Sequence, residues 1–262
     1  MLLCKAKVLR VEKLAIDCFS LLLEEKNLAT GSLPGHFLHI RVGEGPAPFL
    51  RRPFSIAGTS PGEGFLQIIF RLRGAGTRIL SRACPGDMLD CLGPLGNGFR
   101  PRENCKISVL LGGGVGVAPL LFLARRLKEV RERVVLYYGV SRGLEKIPVQ
   151  NFLPPGVEIN LATEDGSGGF AGLVTDLHRS HLQRGLRPEE VFACGPRPMM
   201  QRVAGMYRDK KVDMQFSFEE RMACGVGACH GCPIEIKVGD SDTVFKRVCR
   251  DGPVFNPYEV VW

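Results

Sequence analysis

The feature that most restricts how this chain can fold is a group of four cysteines near its carboxyl end. Three lie in the glycine-rich segment RMACGVGACHGCP and the fourth follows it: Cys224, Cys229, Cys232 and Cys249. This C-x4-C-x2-C…C spacing is typical of plant-type two-iron clusters. A short loop must aim several sulfurs at one cluster, and its backbone amides can then donate to those sulfurs, while glycines permit the tight turns. The spacing predicts a [2Fe-2S] cluster with these four ligands.

A structural zinc ion is the alternative for the same cysteines. Zinc ribbons usually pair two CxxC knuckles, and only Cys229 and Cys232 form one here, so zinc is the weaker interpretation. With zinc, the segment would be an interaction module on a nucleotide-sensing protein without turnover. The other cysteines have no such spacing, and we expect them to be mostly small buried residues: Cys4, Cys18, Cys84, Cys91, Cys105 and Cys194.

Composition narrows the class of protein. A chain of 262 residues with 45% hydrophobic content can bury a real core and is long enough for two domains and a small appendage. Lys5 and Lys7 precede any apolar stretch of signal-peptide length, so we expect a cytoplasmic protein, in which neighbouring cysteines are more often ligands than disulfides. The uncharged stretch from Ile107 to Ala124 has glycines and a proline at its centre, which predicts strand, loop and helix rather than a membrane span.

The charge pattern bears on possible partners. The net charge of +8 suits anionic cofactors or an acidic partner. No basic run is interleaved with aromatic residues, as a stacking platform for nucleic acid requires. We therefore expect neither nucleic acid nor a membrane as a partner.

The pattern of apolar residues changes twice along the chain. Residues 1–100 contain short strands separated by turn signals, which predicts a small antiparallel β-barrel. Residues 101–213 alternate apolar strands with helices near 118–131, 174–183 and 198–208, which predicts a parallel α/β sheet covered on both faces. Residues 214–262 form a short cysteine-rich, cluster-binding segment.

A glycine-rich loop in the α/β part marks a candidate nucleotide site. LLGGGVGVAPL follows a predicted strand and opens a helix, where a dinucleotide pyrophosphate binds, although neither register of its glycines completes G-x-G-x-x-G. A later strand ends in ACGPRPMM at the same edge of the sheet. The candidate contacts are Gly112, Gly113, Gly114, Gly116, Pro119, Cys194, Gly195 and Pro196.

Two segments of the barrel are further candidates. In RRPFSI, an arginine and a serine three residues apart on a strand can hold a phosphate and the edge of a flavin. In FRLRGAGTRIL, Gly76 and Thr77 would begin a helix whose amides face a diphosphate. Without context, each segment is as often an ordinary turn.

Taken in order, these motifs resemble the ferredoxin reductase family, in which a flavin barrel precedes a nicotinamide-binding domain. RPFS is similar to the family's R-x-Y-S flavin motif with phenylalanine for tyrosine, and GGGVGVAPL and ACGP resemble its nicotinamide motifs. FEERMACGVGACHGC is similar to the electron-transfer subunit of class B dihydroorotate dehydrogenase, and that likeness spans essentially the whole chain. The resemblance implies FAD contacts at Arg52, Pro53, Phe54, Ser55, Ile69, Phe70, Arg71, Gly76 and Thr77.

The resemblance also implies a function in pyrimidine biosynthesis. It implies FAD, one [2Fe-2S] cluster, NAD as acceptor, and a heterotetramer with two catalytic subunits that carry FMN and oxidise dihydroorotate. Electrons would pass from that FMN through the cluster and FAD to NAD+, and no catalytic acid or base is expected in this chain. Ser141-Arg142 after a strand leaves NADP open. The alternative is an NAD(P)H-dependent iron–sulfur flavoprotein reductase that feeds an oxygenase or a ferredoxin.

Overall fold

The amino-terminal part of the chain is a closed antiparallel barrel. The computed structural model describes residues 1–43, 45, 48–208, 210, 212–239 and 242–262. The elements of the barrel part are β1 (Leu2–Lys13), β2 (Cys18–Glu24), α1 (Lys26–Gly31), β3 (Phe37–Arg41), β4 (Arg52–Ser60), β5 (Phe65–Arg71), α2 (Ala75–Leu80) and β6 (Met88–Leu95). The strands close in the order β1-β2-β5-β4-β3-β6. Alternate side chains such as Leu21, Leu23 and Ile68 fill the interior because a strand has a period of two residues.

The second part is a mostly parallel sheet with helices on its faces. Its elements, with a separate hairpin near the end, are β7 (Ile107–Gly113), α3 (Val117–Lys128), β8 (Arg133–Val140), β9 (Val157–Thr163), β10 (Phe170–Ala171), α4 (Val174–Gln183), β11 (Glu190–Cys194), α5 (Arg197–Gly205), β12 (Asp213–Ser217), β13 (Pro233–Val238), β14 (Asp242–Arg247) and β15 (Val254–Phe255). The sheet order is β10-β9-β8-β7-β11-β12-β15, and β15 runs antiparallel to β12. Central strands are nearly all apolar because both faces are covered.

Helix α3 joins the barrel to the sheet. It is apolar on most sides because Phe122 enters the barrel core while Ala118 and Leu121 pack in the core on one face of the sheet. The uncharged stretch that includes this helix is strand, 3-10 turn and helix, as predicted. Among the helices of the described residues, none has both the length and the hydropathy that a membrane crossing requires.

The carboxyl-terminal segment leaves the sheet and returns to it. Strand β12 crosses the predicted boundary between residues 213 and 214, and β15 pairs with it, while β13 and β14 form the separate hairpin. The Phe218 ring packs on Phe255 and on Trp262, with centroids 6.1 Å and 5.5 Å apart. The predicted fold class of barrel, parallel α/β sheet and small terminal segment is confirmed, and the exact domain boundaries stay predictions.

Candidate functional site

The segment with the first three predicted ligands, residues 224–232, is called the cysteine loop, and several of its residues have a left-handed backbone conformation. Gly225 and Gly227 have φ angles of +72° and +84°, and His230 has a φ of +57°. Glycine adopts this region at little cost, whereas a side chain disfavours it. A Cβ at Gly227 would also meet Cδ of Arg250 at 2.6 Å. The tight loop therefore depends on the glycines between its cysteines.

Backbone N–H groups of the loop point at cysteine sulfurs. Val226 and Cys229 each donate to Sγ of Cys224 at 3.4 Å. Cys249 donates to Sγ of Cys232 at 3.5 Å. Such hydrogen bonds stabilise thiolates and the sulfurs of iron–sulfur clusters. The four cysteines thus lie as two neighbouring pairs, 224 with 229 and 232 with 249.

The two pairs differ in environment. Burial raises the pKa of the Cys224 thiol, but the backbone N–H groups of Cys229 and Val226 outweigh it and lower that pKa to about 6. Burial, followed by the neighbouring Cys232 thiol, raises the pKa of Cys249 to about 12. Cys229 is exposed, whereas Cys232 and Cys249 are buried. One pair therefore reaches the surface and the other faces the interior.

This arrangement fits a two-iron cluster. Such a cluster takes two cysteine sulfurs on each iron, which matches two pairs of thiols with N–H groups aimed at sulfur. Within the part of the chain that the structure describes, no group of three or more His, Cys, Asp or Glu side chains has the spacing of a single-ion site. The ligand role of the four cysteines stays a prediction, and the paired geometry supports it.

A small cavity of about 260 Å³ lies between the barrel and the carboxyl-terminal segment. Its walls include Phe37 on β3 and Met222, two residues before the first cysteine of the loop. The Phe54 ring lies edge-on to Phe70 with centroids 5.6 Å apart, and most of it is buried in the barrel. The cavity is lined by eight of the nine residues predicted to contact FAD: Arg52, Pro53, Phe54, Ser55, Ile69, Phe70, Arg71 and Thr77.

The ninth residue, Gly76, shapes the start of α2. A Cβ there would meet Cγ2 of Val42 at 2.9 Å and Nε of Arg52 at 3.4 Å. Its absence leaves room for Arg52 beside the first turn of the helix, where N–H groups have no intrahelical partner. Thr77 Oγ1 accepts from the backbone N–H of Arg73 at 2.9 Å and closes the turn. These residues fit an anionic group such as the diphosphate of FAD.

A larger cavity of about 800 Å³ opens at the carboxyl ends of the sheet strands. Parallel α/β sheets bind nucleotides at this edge. Glycine lets the loop after β7 approach the loop after β11, since a Cβ at Gly113 would meet Cδ of Pro196 at 2.7 Å. Gly114, with a φ of +55°, has open space beside it. Four glutamates line the cavity, and two of them pair with Arg71 and Arg197. Four arginines also line it and can bind a diphosphate: Arg71, Arg73, Arg197 and Arg202.

The predicted nucleotide contacts fall into two groups. Those that line the large cavity are Gly113, Gly114, Gly116, Gly195 and Pro196. Those that lie outside its lining are Gly112, Pro119 and Cys194. Cys194 is 1% exposed, and burial raises the pKa of its thiol. A Cβ at Gly112 would collide with Val117 at 2.9 Å, so this glycine brings strand and helix together behind the cavity.

The two cavities share one wall. Six residues line both of them: Arg71, Arg73, Val115, Phe218, Glu219 and Glu220. The Glu220 carboxylate accepts from Arg197 at 2.6 Å. The Glu219 side chain is exposed to the cavities, and the protein around it still desolvates the carboxyl and raises its pKa against the opposing charge of Arg73. Of this wall, only Arg71 was predicted from the sequence as a site residue, because three distant segments build it.

Comparisons with known proteins identify the family. A model of the iron-sulfur cluster binding domain of dihydroorotate dehydrogenase B matches residues 219–261. The dihydroorotate dehydrogenase B (NAD(+)) electron transfer subunit of Desulforamulus reducens is 38% identical over 258 residues, which cover 98% of this chain and 97% of that relative. The chain belongs to this family. The electron transfer subunit of Bacillus caldolyticus is 42% identical over 231 residues, 87% of this chain and 86% of the relative.

Solved structures share the architecture of this chain. An NADH-dependent reduced ferredoxin-NADP oxidoreductase, described for flavin-based electron bifurcation, gives a TM-score of 0.86 at 31% identity and covers 98% of this chain and 90% of its own. A ferredoxin reductase of carbazole 1,9a-dioxygenase gives 0.71 at 24% identity, over 82% and 68% of the two chains, which shows the fold alone. The predicted family is confirmed. Its name, electron transfer subunit, implies a catalytic partner subunit.

Proposed function

We propose that this chain is the electron transfer subunit of an NAD-dependent dihydroorotate dehydrogenase and binds FAD, a [2Fe-2S] cluster and NAD. When bound, the cluster carries single electrons, FAD exchanges one or two, and nicotinamide accepts a hydride. Oxidation of dihydroorotate to orotate releases two electrons and two protons, and NAD+ takes both electrons with one proton. The protein's task is to hold these groups in that order.

The observation that carries this proposal is the order of the three candidate sites. The large cavity meets the small cavity along a shared wall that includes Phe218 and Glu219. Met222 lines the small cavity and lies two residues before Cys224. The chain thus supports a nicotinamide site, a flavin site and a cluster site in succession, as a relay between hydride and single-electron chemistry requires.

Residues of the shared wall have an acid–base task in this proposal. Electrons that arrive through a cluster bring no proton, yet a hydride includes one. The Glu219 carboxyl opens to both cavities, and its raised pKa favours a proton on its oxygens. Glu219 is therefore our candidate for holding a proton beside the flavin site, although no catalytic residue was predicted from the sequence.

The charges at the large cavity favour NAD over NADP. Arg142, which the sequence left open as a partner of a 2′-phosphate, donates from Nε to Glu145 at 2.9 Å and does not line the cavity. Glu164 does line it and accepts from Ser141 Oγ at 3.1 Å. A carboxylate can bind ribose hydroxyls and repels a phosphate. This choice agrees with NAD(+) in the name of the relatives.

The partner completes the proposed activity. We propose an FMN-containing catalytic subunit that oxidises dihydroorotate, in a heterotetramer with two of each subunit. The exposed Cys229 marks the edge at which the cluster site reaches the surface and would receive electrons. The NADH-dependent oxidoreductase with a TM-score of 0.86 supports the alternative, a reductase for a ferredoxin or an oxygenase. A stable complex with the FMN subunit distinguishes the two, since the alternative does not require it.

The test is a visible spectrum with iron, sulfide and zinc analysis of the anaerobically purified chain, alone and co-expressed with the catalytic subunit. We expect flavin bands over a broad iron–sulfur absorbance, about two irons per chain, and dihydroorotate-dependent NAD+ reduction by the complex. Cys229→Ser should abolish the iron–sulfur absorbance and keep the flavin bands, whereas Cys84→Ser, an exposed cysteine on the barrel, should keep both. Zinc in place of iron would contradict the relay.

A further inference from the structure

His39 is a buried polar residue that the proposed relay does not use. It lies on β3, has no exposed surface, and neither ring nitrogen has a hydrogen-bond partner within the described residues. An unpaired buried donor or acceptor costs about 1–3 kcal/mol. An apolar side chain could fill the same volume without this cost, so packing alone does not account for a histidine here.

One side of the His39 ring lies against the cysteine loop. A Cβ on Gly225 would stand 3.0 Å from Cε1 and from Cγ of His39, and closer still to Nδ1. Gly225 follows Cys224, the first predicted ligand. The backbones of Arg51 and Cys224 also lie beside the ring. Burial, followed by the charge of Arg51, lowers the pKa of His39 to about 4, so the ring is neutral and has one N–H to donate. The ring therefore reaches the peptide that carries the first ligand.

His39 does not line the small cavity, but it lies on the same face of the β3–β4 pair as residues that do. In the barrel, His39 pairs with Pro53 and Phe37 pairs with Ser55. Directly opposite residues in an antiparallel pair point to the same face. Phe37, Pro53 and Ser55 all line the small cavity. His39 continues this row by one pair and stands between the flavin site and the cluster loop.

We propose that His39 is a positioning residue for the cluster. Its ring N–H makes no hydrogen bond of normal geometry with the residues that the structure describes; when the cluster is bound, it donates to the carbonyl of Cys224 and fixes the first ligand relative to the flavin site. This inference rests on the proposed function. Gly225, with its left-handed backbone, makes this approach possible, because a Cβ at this position would collide with the His39 ring.

The test uses the anaerobic complex of this chain with its catalytic subunit and compares His39→Leu with His39→Gln. For His39→Leu we expect altered EPR g values and midpoint potential of the reduced cluster, and iron loss to a chelator faster by roughly fivefold, as for one lost hydrogen bond. His39→Gln, which restores a donor, should return these values toward wild type. Leu38→Ala is the matched control, since Leu38 points into the barrel core and should lower the melting temperature without moving the EPR signal.

A double-mutant cycle tests the contact without any cluster signal. Gly225→Ala should destabilise the chain through both its φ of +72° and the collision with His39. His39→Ala should relieve the collision, so the pair should cost less than the two single substitutions added together. Additive costs, or an unchanged EPR signal in His39→Leu, would overturn the inference while leaving the relay intact. A wild-type chain without a [2Fe-2S] signal would overturn both.

Discussion

The α/β sheet and the cysteine-rich segment are stabilised in different ways. The sheet carries continuous apolar strands between packed helices, and residues such as Leu110, Leu136 and Phe192 have no exposed surface. The segment around the cysteines has a two-residue strand in the sheet and a hairpin whose strand β14 is mostly exposed. Hydrophobic burial alone accounts for the first region, whereas the second combines a few buried side chains, such as Ile234 and Ile236, with glycine turns and thiol chemistry. The sheet should therefore stay folded without its bound nucleotide, whereas the segment should unfold more readily without its cluster.

The largest expected effect is the loss of the cluster after substitution of one buried ligand. Cys249→Ser removes a sulfur from the interior pair, so we expect loss of all iron–sulfur absorbance and faster proteolysis after residue 218, with the flavin bands retained. Cys18→Ser is a matched buried control in the barrel and should keep full iron content. Iron retained in Cys249→Ser would show that the interior pair is not a ligand pair.

A cavity made in the sheet should have the opposite effect to Cys249→Ser: it should lower stability and leave the iron content unchanged. Leu136→Ala removes a fully buried side chain from β8 and should lower the free energy of unfolding by about 2–5 kcal/mol. Iron per folded chain should stay at the wild-type value, because Leu136 packs in a different core cluster from Cys232 and Cys249. Thermal unfolding and iron analysis on the same sample check both halves. Parallel loss of iron and stability would mean that the two regions fold as one cooperative unit.

The preference for NAD+ over NADP+ should depend only on residues at the carboxyl edge of the sheet. Glu164→Gln removes the carboxylate that faces the large cavity, so we expect the ratio of kcat/KM for NAD+ over NADP+ to fall about fivefold, or about 1 kcal/mol. Glu158→Gln is the control, since Glu158 pairs with Arg133 at 2.7 Å outside the cavity. An equal effect of both substitutions would assign the preference to overall charge.

The smallest effect concerns pH and the sheet core. Burial lowers the pKa of His178 to about 3 from an ordinary value of 6.5, and its Nε2 lies 2.6 Å from the Tyr207 hydroxyl. Between these two pKa values, His178 is protonated in the unfolded chain but not in the folded chain. The free energy of unfolding therefore falls as pH decreases below about 6.5. His178→Gln should remove about 0.7 kcal/mol of the stability difference between pH 7 and pH 6. Tyr207→Phe should instead lower stability equally at both values in urea titrations.

The sequence allowed prediction of features that local pattern determines. Alternating apolar residues predicted the barrel, continuous ones predicted the buried strands, and helix α4 begins and ends at the predicted residues. The cysteine spacing and the glycine loop after β7 depend on neighbours in the chain, so the residue pattern by itself was enough to locate both. The flavin contacts came from the family resemblance rather than from local pattern, and eight of those nine residues line one cavity.

The rest depends on contacts between distant parts of the chain. The wall between the cavities joins Arg71 on β5, Val115 after β7 and Glu219 after β12, and no local pattern links them. His39 is a single histidine in an apolar strand, and its role follows only from the approach of Gly225. Arg142 stands after a strand at a plausible phosphate position, but its ion pair with Glu145 became visible only in three dimensions.

The exposure of Cys229 has a consequence for handling the protein. The surface edge that brings a cluster close enough to a partner for electron exchange also brings it within reach of dissolved oxygen. Docking of the catalytic subunit over this edge would protect the cluster from oxygen as well as allow electron transfer. The isolated chain should therefore bleach in air much faster than the assembled enzyme, and shelf life becomes a simple measure of assembly.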